Sequence, residues 1–139
     1  TIAGNVCNAS PAADGVPPLL TLGAEVELIS IKGARRLLLD GFLKGVRQTD
    51  RAADEVLSAI HVPDLPTGAQ GSFVKLGARK SLVSSICMVA AADAARAVTD
   101  DMILGLTHIT DVRASAEYRQ TSAASVIRRA ITLALEGAA

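Results

Sequence analysis

The sequence predicts an α+β fold built from antiparallel or mixed strands with short helices, and three features point to it. Strand-like segments come first and the clearest helical segment comes last, an order that favours α+β over an alternating parallel α/β sheet. Glu25–Ser30 alternates polar and apolar residues and is followed by a Lys32-Gly33 turn and a second apolar run, Arg35–Leu39, as in a hairpin. In the last quarter of the chain, Val126, Ile127, Ala130, Ile131 and Ala134 recur at the spacing of one helix face.

In chain order, residues 1 to 14 read as a short strand or turn that enters a loop. Gly15-Val16-Pro17-Pro18 stops any helix upstream, and either proline can open a short helix through Leu22 that Gly23 closes. After the hairpin, Asp40–Gly45 reads as a helical turn or loop, and Val56–Pro63 as a strand. Pro63, Pro66, Gly68 and Gly71 mark the sharpest change of composition, so a linker is expected there, dividing the chain into 1–66 and 67–139. Beyond it, Gly71–Arg79 and Leu82–Val89 read as strands, and the Ala-rich stretch Ala90–Val98 is compatible with a helix. Asp100–Thr110 carries no clear period. Ser115 is an N-cap candidate for the final helix, with Glu117 in its first turn and Gly137 at its end. Arg119, Arg128 and Arg129 fall largely off the apolar face of that helix.

Composition narrows the function classes. With 139 residues, half of them hydrophobic, the chain can build a core. Phe42, Phe73 and Tyr118 are its only aromatics, so that core must be aliphatic. Fourteen basic and fourteen acidic residues balance to zero, which leaves neither a basic footprint nor a stacking surface for nucleic acid. The longest strongly apolar window, Ile86–Ala92, is far short of the roughly 20 residues of a membrane helix. No signal peptide is read ahead of Thr1. Cys7 and Cys87 are too few and too far apart for a zinc site or a disulfide framework, and point to a reducing, intracellular setting.

Chemistry concentrates in Thr1–Asp14. Gly4 permits close approach of the backbone to a ligand, successive N–H groups in a turn can hold an anion, and Asn5, Asn8 and Ser10 add neutral donors. Asp14 is an acceptor for a ribose hydroxyl or a flavin ring N–H. The same residues also make an ordinary small-residue turn between strands, and a general nucleotide-binding loop is a further reading. Elsewhere, His61 and His108 lack partners at ligand spacing, so no metal site is expected. Ser81, Ser84 and Ser85 lack a glycine elbow and a base, and Asp100-Asp101 reads as a solvated helix end, so no catalytic residue is expected. Arg128-Arg129 reads as a surface or subunit-contact pair, and Arg113 and Tyr118 as residues that lock the last helix to its sheet.

Four blocks carry a resemblance. Thr1-Ile2-Ala3-Gly4-Asn5 followed by Asn8-Ala9-Ser10-Pro11-Ala12-Ala13-Asp14 resembles the second flavin-binding segment of the molybdenum hydroxylases, the xanthine dehydrogenase and carbon monoxide dehydrogenase type. Asp54–Pro63 is similar to that family's acidic-acidic-aliphatic-Leu strand. Phe73–Lys80 resembles the first strand of its C-terminal domain, and Asp111–Arg119 the Asp-x-Arg-Ala-Ser-x-x-Tyr-Arg signature before its last helix.

The resemblance implies the second subdomain of a two-part FAD-binding domain over 1–66 and a truncated C-terminal domain over 67–139. It implies FAD contacts from Thr1, Ile2, Ala3, Gly4, Asn5, Asp14, Leu57 and Lys75. Lys75 also has a rationale of its own, since a cation beside a flavin stabilises negative charge that develops on reduction. Ala3 stands at a family glycine and is penalised by about 1 kcal/mol or more if that position needs positive φ. The implied protein is a cytoplasmic oxidoreductase component. Its partners are a molybdenum-cofactor subunit and an iron–sulfur subunit, and it passes electrons through FAD to NAD or another acceptor. A piece of this kind is not expected to be active alone. The family's upstream glycine-rich flavin subdomain has no counterpart here, and several tens of family residues are missing between Ala92 and Ala97, so a fragment is expected. A non-catalytic remnant or subunit-contact piece is the alternative.

Overall fold

The computed structural model describes residues 1–79, 83–92 and 110–136. Contacts divide the chain into Thr1–Leu65 and Pro66–Ala139. The first unit holds α1 (Ile2–Asn8), α2 (Val16–Thr21), β1 (Glu25–Ser30), β2 (Gly33–Leu38), α3 (Leu39–Phe42), β3 (Leu43–Gly45), β4 (Gln48–Thr49) and β5 (Val56–His61). The second holds β6 (Gly71–Leu76), β7 (Cys87–Ala92) and the helix α4 (Ala116–Glu136).

In the first unit β1 is the central strand of an antiparallel sheet ordered β2-β1-β5. The hairpin register runs from Glu25↔Leu38 to Ser30↔Gly33, as the alternation in Glu25–Ser30 requires. Val26 and Leu28 point inward and are fully buried, while Glu25, Glu27 and Ile29 point to the other face. Against β5 the register shifts between Glu27 and Leu28, which face Ala59 and Leu57, so Ser58 is the extra residue of a bulge. Val6, Val26, Leu28, Leu39 and Phe42 form the core, with Leu19, Leu37, Leu57 and Ile60 packed around it. Phe42 is the largest side chain buried there, on the short helix that the Asp40–Gly45 segment partly anticipates. Two prolines at the start of α2 supply preset φ angles, and Gly23 at φ 66° turns the chain out of the helix.

The first 14 residues correct the sequence reading. Ile2–Asn8 is a helix, not a strand or turn. Thr1 is its N-cap, with the side-chain hydroxyl accepting from the Gly4 N–H at 3.0 Å, and Val6 anchors one face in the core. Ala9, at φ 44°, ends the helix in the left-handed conformation and donates its N–H to Val6 O. Ala3 lies inside this helix and has no positive φ, so the backbone penalty expected at that position does not arise.

In the second unit β6 and β7 pair antiparallel from Gly71↔Ala92 to Leu76↔Cys87. α4 packs on both strands through Ala130 and Ala134, which meet Ala91 with Val74, Val89 and Ile131 around them. Small residues on the helix face bring helix and sheet close. The Ser72 hydroxyl donates to the backbone carbonyl of Ala130 in this contact. Two sequence expectations shift: the second strand begins at Cys87, not Leu82, and Ala90–Ala92 belongs to it, not to a helix. The remainder of Ala90–Val98, Leu82, Gly137 and most of Asp100–Thr110 lie outside the described residues.

Ser115 caps α4 as expected, its hydroxyl accepting from Tyr118 N at 3.1 Å, and Thr110 Oγ1 accepts from Ala116 N at 2.9 Å. Arg119 is the larger correction. It is only 9% exposed and lies on the inner face, donating to the Ile86 carbonyl at 2.7 Å and to Asp111 at 2.6 Å. Arg119, not Arg113 or Tyr118, therefore locks the helix to the strand. Arg113 pairs with Asp111 in its own loop, and Tyr118 is exposed.

Candidate cofactor site

The site is built on α1. A seven-residue helix containing a glycine and an asparagine has little stability of its own, so the Thr1 cap and the burial of Val6 decide its formation. With Val6 and Ala9 turned inward, Thr1, Ile2, Gly4 and Asn5 are left on the exposed side, and Ala3 is half-buried. Gly4 is there for space, not for a special φ: a Cβ at this position would come to 3.0 Å of Thr1 Oγ1.

The loop behind the helix is set by Ser10, whose hydroxyl accepts from Ala12 N at 3.2 Å while its carbonyl accepts from Ala13 N. Ala13 is buried, and Asp14 beside it is half-buried. Gly15 lies under the side chain of Asn5, close enough that a Cβ would meet Asn5 Oδ1 at 3.1 Å. The Asp14–Gly15 corner and the exposed face of α1 are thus neighbours. Leu57, on the inner face of β5, packs on the core that contains Val6. These first-unit candidates therefore share one structural block. Lys75 is exposed on β6, in the second unit.

Two supporting groups were not visible in the sequence. Arg47, at φ 55°, donates its backbone N–H to Ala9 O at 2.9 Å and its guanidinium to Asn8 Oδ1 at 3.1 Å, pinning the end of α1. Arg35 grips Glu55 and Asp50, with Nε 2.6 Å from Glu55 Oε1 and Nη1 2.9 Å from Asp50 Oδ2. That clamp fixes the loop entering β5 two residues before Leu57. The Arg35 hydrogen bonds and the Ala52 N–H hold the Glu55 carboxyl down at about 2. No local pattern marks either arginine, since each works on a loop distant in sequence.

On the outer face of the sheet, Glu27 accepts from Ser58 at 2.8 Å and lies 3.2 Å from both Arg36 Nε and His61 Nε2. The Ser58 hydroxyl, then Arg36 and His61, keep the Glu27 carboxyl below its ordinary range. The cluster is internally paired and ties three strands together. Among the described residues no three His, Cys, Asp or Glu side chains are placed to hold a metal ion. Ser84 is exposed and Ser85 buried; His108, Ser81 and Asp100-Asp101 lie outside the described residues. Among the described residues no helix is long and apolar enough to cross a membrane.

Known proteins resemble this chain across both units. Residues 1–65 match the family described as FAD binding domain in molybdopterin dehydrogenase. The chain is 36% identical over 89 residues to the nicotinate dehydrogenase FAD-subunit of Eubacterium barkeri, covering 62% of this chain and 30% of that protein. It is 24% identical over 167 positions to the nicotine 6-hydroxylase medium subunit of Paenarthrobacter nicotinovorans, covering 94% of this chain and 59% of the relative. That alignment is longer than the 139-residue chain, so the relative carries residues inside the aligned span that this chain lacks. The fold matches a chain of reconstituted CO dehydrogenase from Oligotropha carboxidovorans at TM-score 0.84 and 24% identity, covering 96% of this chain and 60% of that one. It also matches quinoline 2-oxidoreductase from Pseudomonas putida 86 at TM-score 0.78. Thr1–Leu65, the first unit, is thus similar to the FAD binding domain in molybdopterin dehydrogenase.

Proposed function

We propose that this chain is the FAD-binding portion of a cytoplasmic molybdenum hydroxylase. In that complex it would relay electrons from iron–sulfur clusters on one partner subunit, fed by a molybdenum cofactor on another, through FAD to NAD or a further acceptor. The observation that carries the reading is the open face of α1, where Gly4 leaves room against the Thr1 cap and the Asp14–Gly15 corner lies beside Asn5. Thr1, Ile2, Ala3, Gly4 and Asn5 would hold the cofactor by close backbone approach, Asp14 by accepting a hydrogen bond, and Leu57 by apolar contact. Lys75 would supply positive charge. When bound, FAD contributes a centre that takes up and passes on electrons. The residues named here bind and orient it, and none of them moves a proton in the reaction.

The residues present fit the group. The donors on α1 are neutral, the acceptor Asp14 is half-buried, and the glycine sits where a side chain would intrude. A second reading is a subunit-contact piece that binds no flavin; the chain spans 30% of the nicotinate dehydrogenase FAD-subunit, 59% of the nicotine 6-hydroxylase medium subunit and 60% of the CO dehydrogenase chain. Contacts at one end of FAD would then have to offset the whole ordering cost. Purification of the chain with added FAD separates the two. A yellow protein with close to one flavin per chain supports the first reading; a colourless protein that takes up none supports the second.

A further inference from the structure

We propose that Arg47 is a positioning residue for the flavin-facing side of α1, acting on that helix from the turn between β3 and β4; the role rests on the flavin assignment proposed for Thr1–Asn5. Val46 and Arg47 connect β3 to β4, and the Arg47 backbone is left-handed, with φ 55°. Glycine or asparagine ordinarily fills such a turn position, because a β-carbon is crowded there. An arginine carries strain that glycine would avoid, and strain of this kind persists where the surrounding structure holds it. Among the described residues, the only other non-glycine residue with positive φ is Ala9, at 44°. The two are bonded to each other, the Arg47 N–H donating to Ala9 O at 2.9 Å. The Arg47 guanidinium also donates to Asn8 Oδ1 at 3.1 Å. Both bonds fall on the C-terminal end of α1.

This junction controls the opposite end of the helix. α1 has seven residues, about 10 Å of axis at 1.5 Å per residue. Val6 is its one buried residue, with Cys7 packed beside it, and Val6 lies near the middle of the span from Ile2 to Ala9. One buried side chain near the centre of a short helix fixes where the helix sits and leaves its direction to be set elsewhere. The contacts at Asn8 and Ala9 supply that second point. The turn that makes them is itself tied to the core, since Asp50 N–H, just beyond β4, donates to the carbonyl of the buried Phe42 at 2.8 Å. A helix this short has little stability of its own, so the order of its exposed face comes from its attachments. A face held in one direction before the ligand arrives lowers the ordering cost that binding must offset. Strain accepted at Arg47 is thus matched by a fixed direction for Thr1–Asn5.

The test combines an FAD titration of the full chain, followed by flavin fluorescence, with amide hydrogen exchange of the flavin-free chain. Arg47→Gly removes the guanidinium and accepts the left-handed backbone, so its thermal midpoint should equal the parent's or exceed it. FAD affinity should nevertheless fall at least about fivefold. Exchange of the Asn5–Ala9 amides should quicken by a similar factor while β1 stays as in the parent. Arg47→Lys, which can still donate to Asn8, should recover most of the affinity. Asn8→Ala should also weaken FAD, and combining it with Arg47→Gly should add little, since both remove the same bond. Lys32→Gln removes another exposed cation of the first unit and should leave both readouts unchanged. Equal losses in Lys32→Gln and Arg47→Gly would reduce the effect to general charge and overturn the proposal. Parent-like exchange in Arg47→Gly would overturn it too. FAD bound equally by the parent and Arg47→Gly would remove the positioning role alone, whereas a parent that takes up no FAD would remove the flavin assignment and this role with it.

Discussion

Gly4→Ala is the substitution in which fold and ligand binding should part most clearly. Inside a helix, replacing Gly by Ala is worth about 1 kcal/mol in favour of the folded state. Against this stands the geometry of the cap. The added Cβ would lie 3.0 Å from Thr1 Oγ1, the atom that accepts the Gly4 N–H, so the hydroxyl must move and the cap weakens. Loss of an N-cap costs about 0.5–2 kcal/mol. The two effects nearly cancel, and the variant should unfold in urea within about 1 kcal/mol of the parent. Flavin affinity should not be spared. A methyl group forced between the backbone and a ligand in contact costs about 1–3 kcal/mol, and about 1.4 kcal/mol is a factor of ten in affinity. FAD binding followed by flavin fluorescence should therefore weaken by about tenfold or more. Unchanged stability together with unchanged flavin affinity would refute the argument that Gly4 is kept for ligand approach.

The remaining predictions concern the scaffold. Ala3→Gly should destabilise the first unit by about 1 kcal/mol in urea unfolding, because Ala3 is helical and Gly is the poorer helix former. Phe42→Ala should cost about 3–5 kcal/mol and lower the thermal midpoint sharply, since Phe42 is fully buried in the core. Arg119→Met should lower the midpoint and free α4 from the Ile86 carbonyl, seen as faster amide exchange in the first turns of the helix; Arg119→Lys should recover only part. The Glu55 and Asp111 carboxyls are both held at about 2, Glu55 first by Arg35 and Asp111 first by the Arg113 N–H. Lowered folded values mean stability that is present above the ordinary carboxyl range and is lost as pH falls from about 4.5 toward 2. Thermal midpoints should drop through that window, and Glu55→Gln should flatten part of the fall.

Some elements were legible because their causes are local. The β1–β2 hairpin follows from alternation and a turn glycine, α2 from its prolines and Gly23, and the cap of α4 from Ser115. α1 was not legible, because its helical state depends on Val6 reaching a core assembled from β1, α3 and β5, and its Gly and Asn residues point the other way. Arg119 was misplaced for a similar reason. It lies two turns before Val126, on the same stripe as Ala123, Val126, Ala130 and Ala134, but its charge reads as surface, and its partners are a carbonyl 33 residues away and a carboxylate in the preceding loop. The candidate site was readable as a chemical tendency, small residues with neutral donors, and its reading as a flavin site rests on resemblance.

The most direct test of the central claim is one titration series: FAD added to the parent chain, to Gly4→Val and to Lys75→Ala, followed by flavin fluorescence with circular dichroism as the folding control. The account predicts saturable one-to-one binding by the parent and weaker binding by both variants, each still folded. Binding lost in Gly4→Val but fully retained in Lys75→Ala would reduce the site to a general nucleotide loop on α1. No saturable binding by the parent would contradict the flavin assignment for this chain.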